Sequence, residues 1–154
     1  DVVFAPVDLD TMAERIVVDL APLAFAAGYE MTFESEAGHV PIAGDETALD
    51  RALANLVQNA IDHGGRRGTI MVRVARAVWI VVCVEVEGIP PDERERIFEP
   101  FHRLRKGGRG TGLGLDLVRK IMRRHGGRVE VVDGPTEGAC LRMSFPPPNP
   151  VDRR

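Results

Sequence analysis

The chain has 154 residues, 44% apolar and 28% charged, which is the balance of one ordinary globular domain able to bury its own core. Its net charge of −3 excludes the global basic field that draws nucleic acid or acidic membranes. No apolar run approaches the roughly 18 residues that a bilayer span needs, and residues 1–10 lack the basic start and long apolar stretch of a signal peptide. The expectation is a soluble piece, which could be the inner part of a membrane protein separated from its anchor. The two cysteines, Cys83 and Cys140, sit in apolar strand-like runs at a spacing that matches no metal pattern. They read as reduced thiols packed as small hydrophobes, which fits a cytoplasmic compartment.

Asp8 or Asp10 is placed to cap a first helix that carries Met12, Ile16, Val17, Leu20 and Leu23 on one side, and Gly28 ends it. Residues 29–35 alternate as a strand does, and residues 40–43 are expected to be its short partner across Gly38. Asp45 caps the clearest helix, whose apolar positions Ala48, Leu49, Ala52, Leu53, Leu56, Val57, Ala60 and Ile61 keep helical spacing up to Gly64 and Gly65. Residues 69–75 and 78–86 read as a strand pair. The second is almost continuously apolar, as a central strand buried on both faces would be, and Pro90 and Pro91 break it. Residues 92–98 look like a short helix, and 102–109 are polar, basic and aperiodic. From Gly110 a glycine run leads into a helix with Leu115, Val118, Ile121 and Met122 on its buried side, ended by Gly126 and Gly127. Residues 129–132 and 139–145 are two further strands. The predicted fold is an α/β (α+β) two-layer sandwich, with a mixed sheet of about five strands and about three helices on one face. Residues 1–147 form the domain, and 148–154 a disordered Pro-rich tail.

Three features carry chemistry. Asn55 and Asn59 lie four apart on one helix, so their carboxamides share a face one turn from each other. Two such oxygens can hold a hydrated Mg²⁺ that phosphate oxygens also ligate, or the pair can simply be exposed or capping. Gly110-Thr111-Gly112-Leu113-Gly114-Leu115 stands just before a helix, where glycines admit a close approach and helix N–H groups favour anions. It follows no strand at dinucleotide-fold spacing and carries no Lys-Ser/Thr, so it is neither a dinucleotide fingerprint nor a Walker loop. Arg103, Arg105, Lys106 and Arg109 flank it and could close over a triphosphate, or form a solvated loop. Phe98, Pro100 and Phe101 could hinge such a lid or serve as core.

Together these residues resemble the catalytic ATPase domain of sensor histidine kinases, in the Bergerat fold group shared with gyrase, Hsp90 and MutL. The likeness runs from Pro6 to about Pro146. Asp45, Arg51, Asn55 and Asn59 look like the family's asparagine box and its lead-in, and Phe98, Phe101, His102 and Arg103 are similar to its phenylalanine box. Residues 110–115 resemble its second glycine box, and His125-Gly126-Gly127 its usual end. The resemblance implies ATP and Mg²⁺ as ligands. Asn59 would be the principal Mg²⁺ ligand with Asn55 beside it. His63 would lie against the nucleotide, Arg103 on phosphate, and Gly110, Gly112 and Gly114 around the phosphates, with Phe101, Thr111, Leu113 and Leu115 among them.

The chain departs from the family pattern at two places. Asp62 stands where many relatives have Lys or Arg. The first glycine box, whose Asp accepts a hydrogen bond from the adenine amino group, is here Val84-Glu85-Val86-Glu87-Gly88-Ile89. Strand alternation puts Val86 at the Asp position; the other alignment puts Val84 there. Either valine leaves the amino group unpaired, at a cost of about 1–3 kcal/mol, or one to two decades of affinity. Glu85 or Glu87 could substitute by a local shift, so Glu87, Gly88 and Ile89 count as candidate nucleotide contacts.

The implied function is ATP–Mg²⁺ binding and delivery of the γ-phosphoryl group to a histidine on a helical dimerisation domain, in the same chain or in trans. A response regulator would then be an indirect partner, with no nucleic acid and no direct membrane insertion, in the cytoplasm or the cytoplasmic part of a membrane-anchored sensor. His39, His63, His102 and His125 do not sit in the acceptor context. The alternatives are a degenerate, non-catalytic binding module of the same fold and an anti-sigma-type serine kinase, although the latter usually carries Glu where Asn55 stands.

Overall fold

The protein is seen here as a computed structural model that describes residues 4–36, 38–39, 41–63, 68–76, 79–86, 112–133 and 139–146. The elements in chain order are β1 (Ala5–Asp8), α1 (Leu9–Ala26), β2 (Tyr29–Ser35), β3 (Pro41–Gly44), α2 (Glu46–His63), β4 (Gly68–Arg76), β5 (Ile80–Val86), α3 (Gly112–Arg124), β6 (Arg128–Asp133) and β7 (Ala139–Phe145). Five strands form one mixed sheet in the order β2-β4-β5-β7-β6. β2 runs parallel to β4, and every other pair is antiparallel. The helices cover one face, so the predicted two-layer sandwich stands. The short helix expected over 92–98, the loop 102–109 and the tail 148–154 lie outside the described residues.

Each helix starts and stops for a local reason. Asp8 caps α1 by accepting from the Thr11 N–H at 3.2 Å, and Gly28 closes the unit at φ +96°. Asp45 caps α2 through the Ala48 N–H at 3.3 Å. α3 ends where Gly126 takes φ +71° and the Gly127 N–H reaches back to the Met122 carbonyl at 2.9 Å. Inward residues of α2 (Leu49, Leu53, Leu56, Val57) and α3 (Val118, Met122) meet Ile70, Val72, Val82, Val84, Leu141 and Met143 of the sheet in one core. Burial of such side chains contributes about 1.5–3 kcal/mol each.

Two expectations need correction. Residues 40–43 were expected to pair with β2, but β3 pairs antiparallel with β1, with Val7 opposite Ile42. The parallel β2–β4 pairing explains this. Parallel neighbours need a crossover, and the chain between them spends itself on β3 and α2. β5 was expected to be buried on both faces. It is central, but only Ile80, Val82 and Val84 are buried, while Val81, Cys83 and Glu85 are half-buried on a face without a described helix. On that face Cys83 stands between Arg73 and Arg142 of the neighbouring strands, and Val81 between Ala75 and Ser144.

The β1–β3 ribbon is clasped by His39, whose Nδ1 lies 2.8 Å from Asp8 Oδ2. That hydrogen bond raises the His39 pKa above its ordinary 6.5. At Asp8 burial pulls upward, but the bonds from His39 and Thr11 outweigh it and hold the carboxyl below 3.8. His39 therefore contributes fully below 6.5 and loses its contribution as pH rises through its raised pKa. Asp8 contributes fully above 3.8 and loses its contribution as pH falls through its lowered pKa. In an NMR titration the His39 midpoint is expected above 6.5 and should fall back in Asp8→Asn, whose asparagine still caps α1. An unmoved midpoint in that variant would contradict the clasp.

Candidate functional site

The site is built where α2 and α3 run side by side. Asp45, at the start of α2, donates its N–H to His125 Nε2 at 3.0 Å. His125 lies just past the end of α3, and its Nδ1 donates to the Ile121 carbonyl at 2.8 Å. Both ring nitrogens are thus used, which fixes a neutral tautomer with its proton on Nδ1. Arg124 adds an ion pair to Asp45 at 3.8 Å, and Phe4 stacks on the His125 ring at 4.6 Å. Gly44 has no room for a side chain, because a Cβ there would meet the His125 ring and Leu49.

This clamp makes the two helices antiparallel, with the end of α3 against the start of α2. The rise along each helix then sets the other end. From Asp45 to Asn59 α2 climbs about 20 Å, and from Arg124 back to Gly112 α3 climbs about 18 Å. Asn59 is therefore level with the first turn of α3, at the end of the helix pair opposite His125.

The two sequence features come together on that level. Asn59 Nδ2 donates to the Asn55 carbonyl at 2.8 Å, which turns its Oδ1 away from its own helix. That Oδ1 is buried and has no hydrogen-bond partner among the described residues. An acceptor left so costs about 1–3 kcal/mol unless something fills the place. A hard cation that takes oxygen ligands is a chemical fit for it. Asn55 is half-buried one turn earlier, and Asp62 is occupied by Gln58 Nε2 at 3.1 Å.

At the facing end, α3 begins at Gly112, inside the glycine run that was expected to stand just before the helix. Gly112, Leu113, Gly114 and Leu115 form its first turn, whose four N–H groups have no intrahelical acceptor and carry the positive end of the dipole. The Leu115 side chain is buried in the core, so it offers an anion only its backbone. Val84 is fully buried between Val72 and Leu141, out of reach of any ligand, whereas Val86 ends β5 opposite Ala139. His63 ends α2, and its side chain lies outside the described residues, as do Glu87, Gly88, Ile89, Phe101, Arg103, Gly110 and Thr111. The residue that sequence reasoning undervalued is His125. It read as part of a terminal motif, and nothing in its spacing reveals the bond across to Asp45.

An orphaned carboxamide on one helix, held level with the glycine-rich first turn of another above a mixed sheet, defines a nucleotide-binding ATPase domain. The chain belongs to the histidine kinase-, DNA gyrase B-, and HSP90-like ATPase family, whose pattern matches residues 44–149. It is similar to the adaptive-response sensory kinase SasA of Parasynechococcus marenigrum (strain WH8102), 31% identical over 146 residues, which is 90% of this chain and 38% of that protein. It is also similar to the sensor protein IrlS of Burkholderia pseudomallei (strain K96243), 35% identical over 90% of this chain and 31% of that protein. The chain thus spans less than half the length of these relatives. Among solved structures it resembles the catalytic domain of the histidine kinase ThkA, with TM-score 0.80, 28% identity and 93% and 95% of the two chains covered. It resembles full-length ShkA in complex with AMPPNP, with TM-score 0.81 and 27% identity over 95% of this chain and 31% of that one. Its fold is that of a histidine kinase catalytic domain.

Proposed function

We propose that the chain binds ATP with Mg²⁺ and presents the γ-phosphoryl group to a histidine on a helical dimerisation domain, in the same protein or in trans. The observation that carries this is the Asn59 Oδ1, buried and without a hydrogen-bond partner among the described residues. Asn59, with Asn55 beside it, would hold the Mg²⁺, which neutralises phosphate charge. By the resemblance, the backbone of Gly110, Thr111, Gly112, Leu113, Gly114 and Leu115 would receive the phosphates, Arg103 would meet phosphate, and His63, Glu87, Gly88, Ile89 and Phe101 would be further nucleotide contacts. Such transfers depend on positioning and charge stabilisation more than on covalent chemistry by the protein, and the helix clamp at His125 is what positions these groups. A response regulator is the indirect partner. No helix among the described residues is long and apolar enough to cross a membrane, which accords with a cytoplasmic place for the domain. Residues 1–147 are the domain and 148–154 its tail.

A second reading, a degenerate binding module, is favoured by the valines at the adenine position. Val84 is closed in the core, so we assign the adenine position to Val86. Val86→Asp is therefore expected to tighten an ATP analogue by about 10- to 100-fold. Transfer of labelled phosphate to a supplied histidine-bearing helical domain tests the function itself. A phosphohistidine on the acceptor supports the kinase. A folded protein that binds the acceptor but transfers nothing, before and after Val86→Asp, is the module.

A further inference from the structure

The sequence spacing of Cys83 and Cys140 matches no metal pattern, yet the sheet brings the two thiols together. Both point to the face that carries no described helix, because Val82, Val84, Leu141 and Met143 point to the other. Cys83 lies opposite Arg142, and Cys140 lies opposite Glu85, so the cysteines are diagonal neighbours on adjacent antiparallel strands. The two thiols are close enough to perturb each other's ionisation, and neither is in a disulfide.

The surroundings favour one negative charge there. A single cross-strand row reads Glu34, Arg73, Cys83, Arg142, Glu130. Arg73 Nε is 3.3 Å from Glu34, and Arg142 Nη2 is 2.8 Å from Glu130. The Arg142 Nε is buried without a hydrogen-bond partner among the described residues. The centre of the row is Cys83, with an arginine on either side. The interaction with Cys140 draws the Cys83 thiol below its ordinary pKa, and the same interaction, with burial, pushes the Cys140 thiol up.

We propose that Cys83 and Cys140 together bind a soft monovalent cation, Cu(I), on the open face of the sheet. Two thiolates are the donors that select such an ion. Two Cu–S bonds form, the Cys83 and Cys140 S–H bonds break, and both protons leave to solvent. The loaded site then carries one net negative charge, which Arg73 and Arg142 on the flanking strands offset. Met71, opposite Glu85 on the other side, adds a thioether to the same face. A disulfide fits less well, since diagonal neighbours lie about 7–8 Å apart, at or beyond the span a disulfide bridges without backbone movement.

The test is anaerobic titration of the reduced chain with Cu(I) against a competing Cu(I) chelator. The wild type is expected to take one Cu(I) from the competitor. Loss of a ligand costs at least as much as loss of an outer partner, so Cys83→Ser and Cys140→Ser should each weaken binding by about 100-fold or more. Cys83→Ala repeats the measurement with no hydroxyl, and circular dichroism confirms that each variant is folded. X-ray absorption of the loaded wild type should show sulfur neighbours only. Failure to take Cu(I) from the competitor, or full affinity in either folded serine variant, would overturn the proposal.

Discussion

Asn59→Ala is expected to weaken binding of an ATP analogue in the presence of Mg²⁺ by about 100-fold or more, while leaving the empty domain about as stable as before. The two halves have one origin. Asn59 Oδ1 is buried and unpartnered, so the empty protein carries the cost of that acceptor. Alanine removes the cost together with the Nδ2 bond to the Asn55 carbonyl, and the two changes offset. With nucleotide the balance is expected to differ, because the oxygen would then be the cation's ligand. In thermal denaturation the wild type should gain stability on adding Mg²⁺ and the analogue, as ligand binding to the folded state requires. The variant should start near the same melting temperature and gain nothing. A variant that melts much lower when empty, yet keeps the ligand-induced gain, would show Asn59 to be structural.

Gly127→Ala is expected to be the most damaging single methyl in the described chain. A Cβ there would stand 2.1 Å from the Ser144 carbonyl oxygen, which is backbone of the neighbouring strand and cannot swing away. Either β6 moves off β7 or α3 moves off the sheet. The cost is about 3 kcal/mol, the upper end of ordinary overpacking, or a fall in melting temperature of about 6–12 °C. Gly126→Ala is the control. Gly126 has φ +71°, but its Cβ would meet nothing nearer than Pro146 Cγ at 3.9 Å. That substitution carries only the dihedral penalty of about 1–2 kcal/mol. A larger loss at Gly126 than at Gly127 would mean that the turn conformation, rather than the close approach to β7, holds this corner. Gly127 also sits two residues after His125, so a shift there loosens the clamp and should lower nucleotide affinity as well.

The same contrast explains what could be read in the sequence. α2 was legible because its apolar stripe is long, its Asp45 cap stands at the right offset, and both effects are local. The strand pair β4–β5 was legible for the same reason. The β1–β3 ribbon was not, because strands of four residues with one buried apolar side chain each, Val7 and Ile42, leave almost no periodic signal. The outer face of β5 misled because Val81 and Cys83 are apolar in the wrong phase, and only the register shows that Cys83 stands between two arginines and Val81 between Ala75 and Ser144. The asparagine and glycine boxes were legible by resemblance. What places them on one level is the His125–Asp45 bond, a contact across 80 positions of sequence that no spacing rule detects. The cysteine pair was hidden likewise, since residues 57 apart meet only through the β5–β7 register.

The central claim is that the helix pair is a working Mg–nucleotide site despite the valine at its adenine position. Calorimetric titration of the chain with a non-hydrolysable ATP analogue, with and without Mg²⁺, tests it most directly. Binding in the micromolar to submillimolar range that weakens sharply when Mg²⁺ is removed is the predicted result. No heat of binding at millimolar analogue, in a sample shown to be folded, would contradict it.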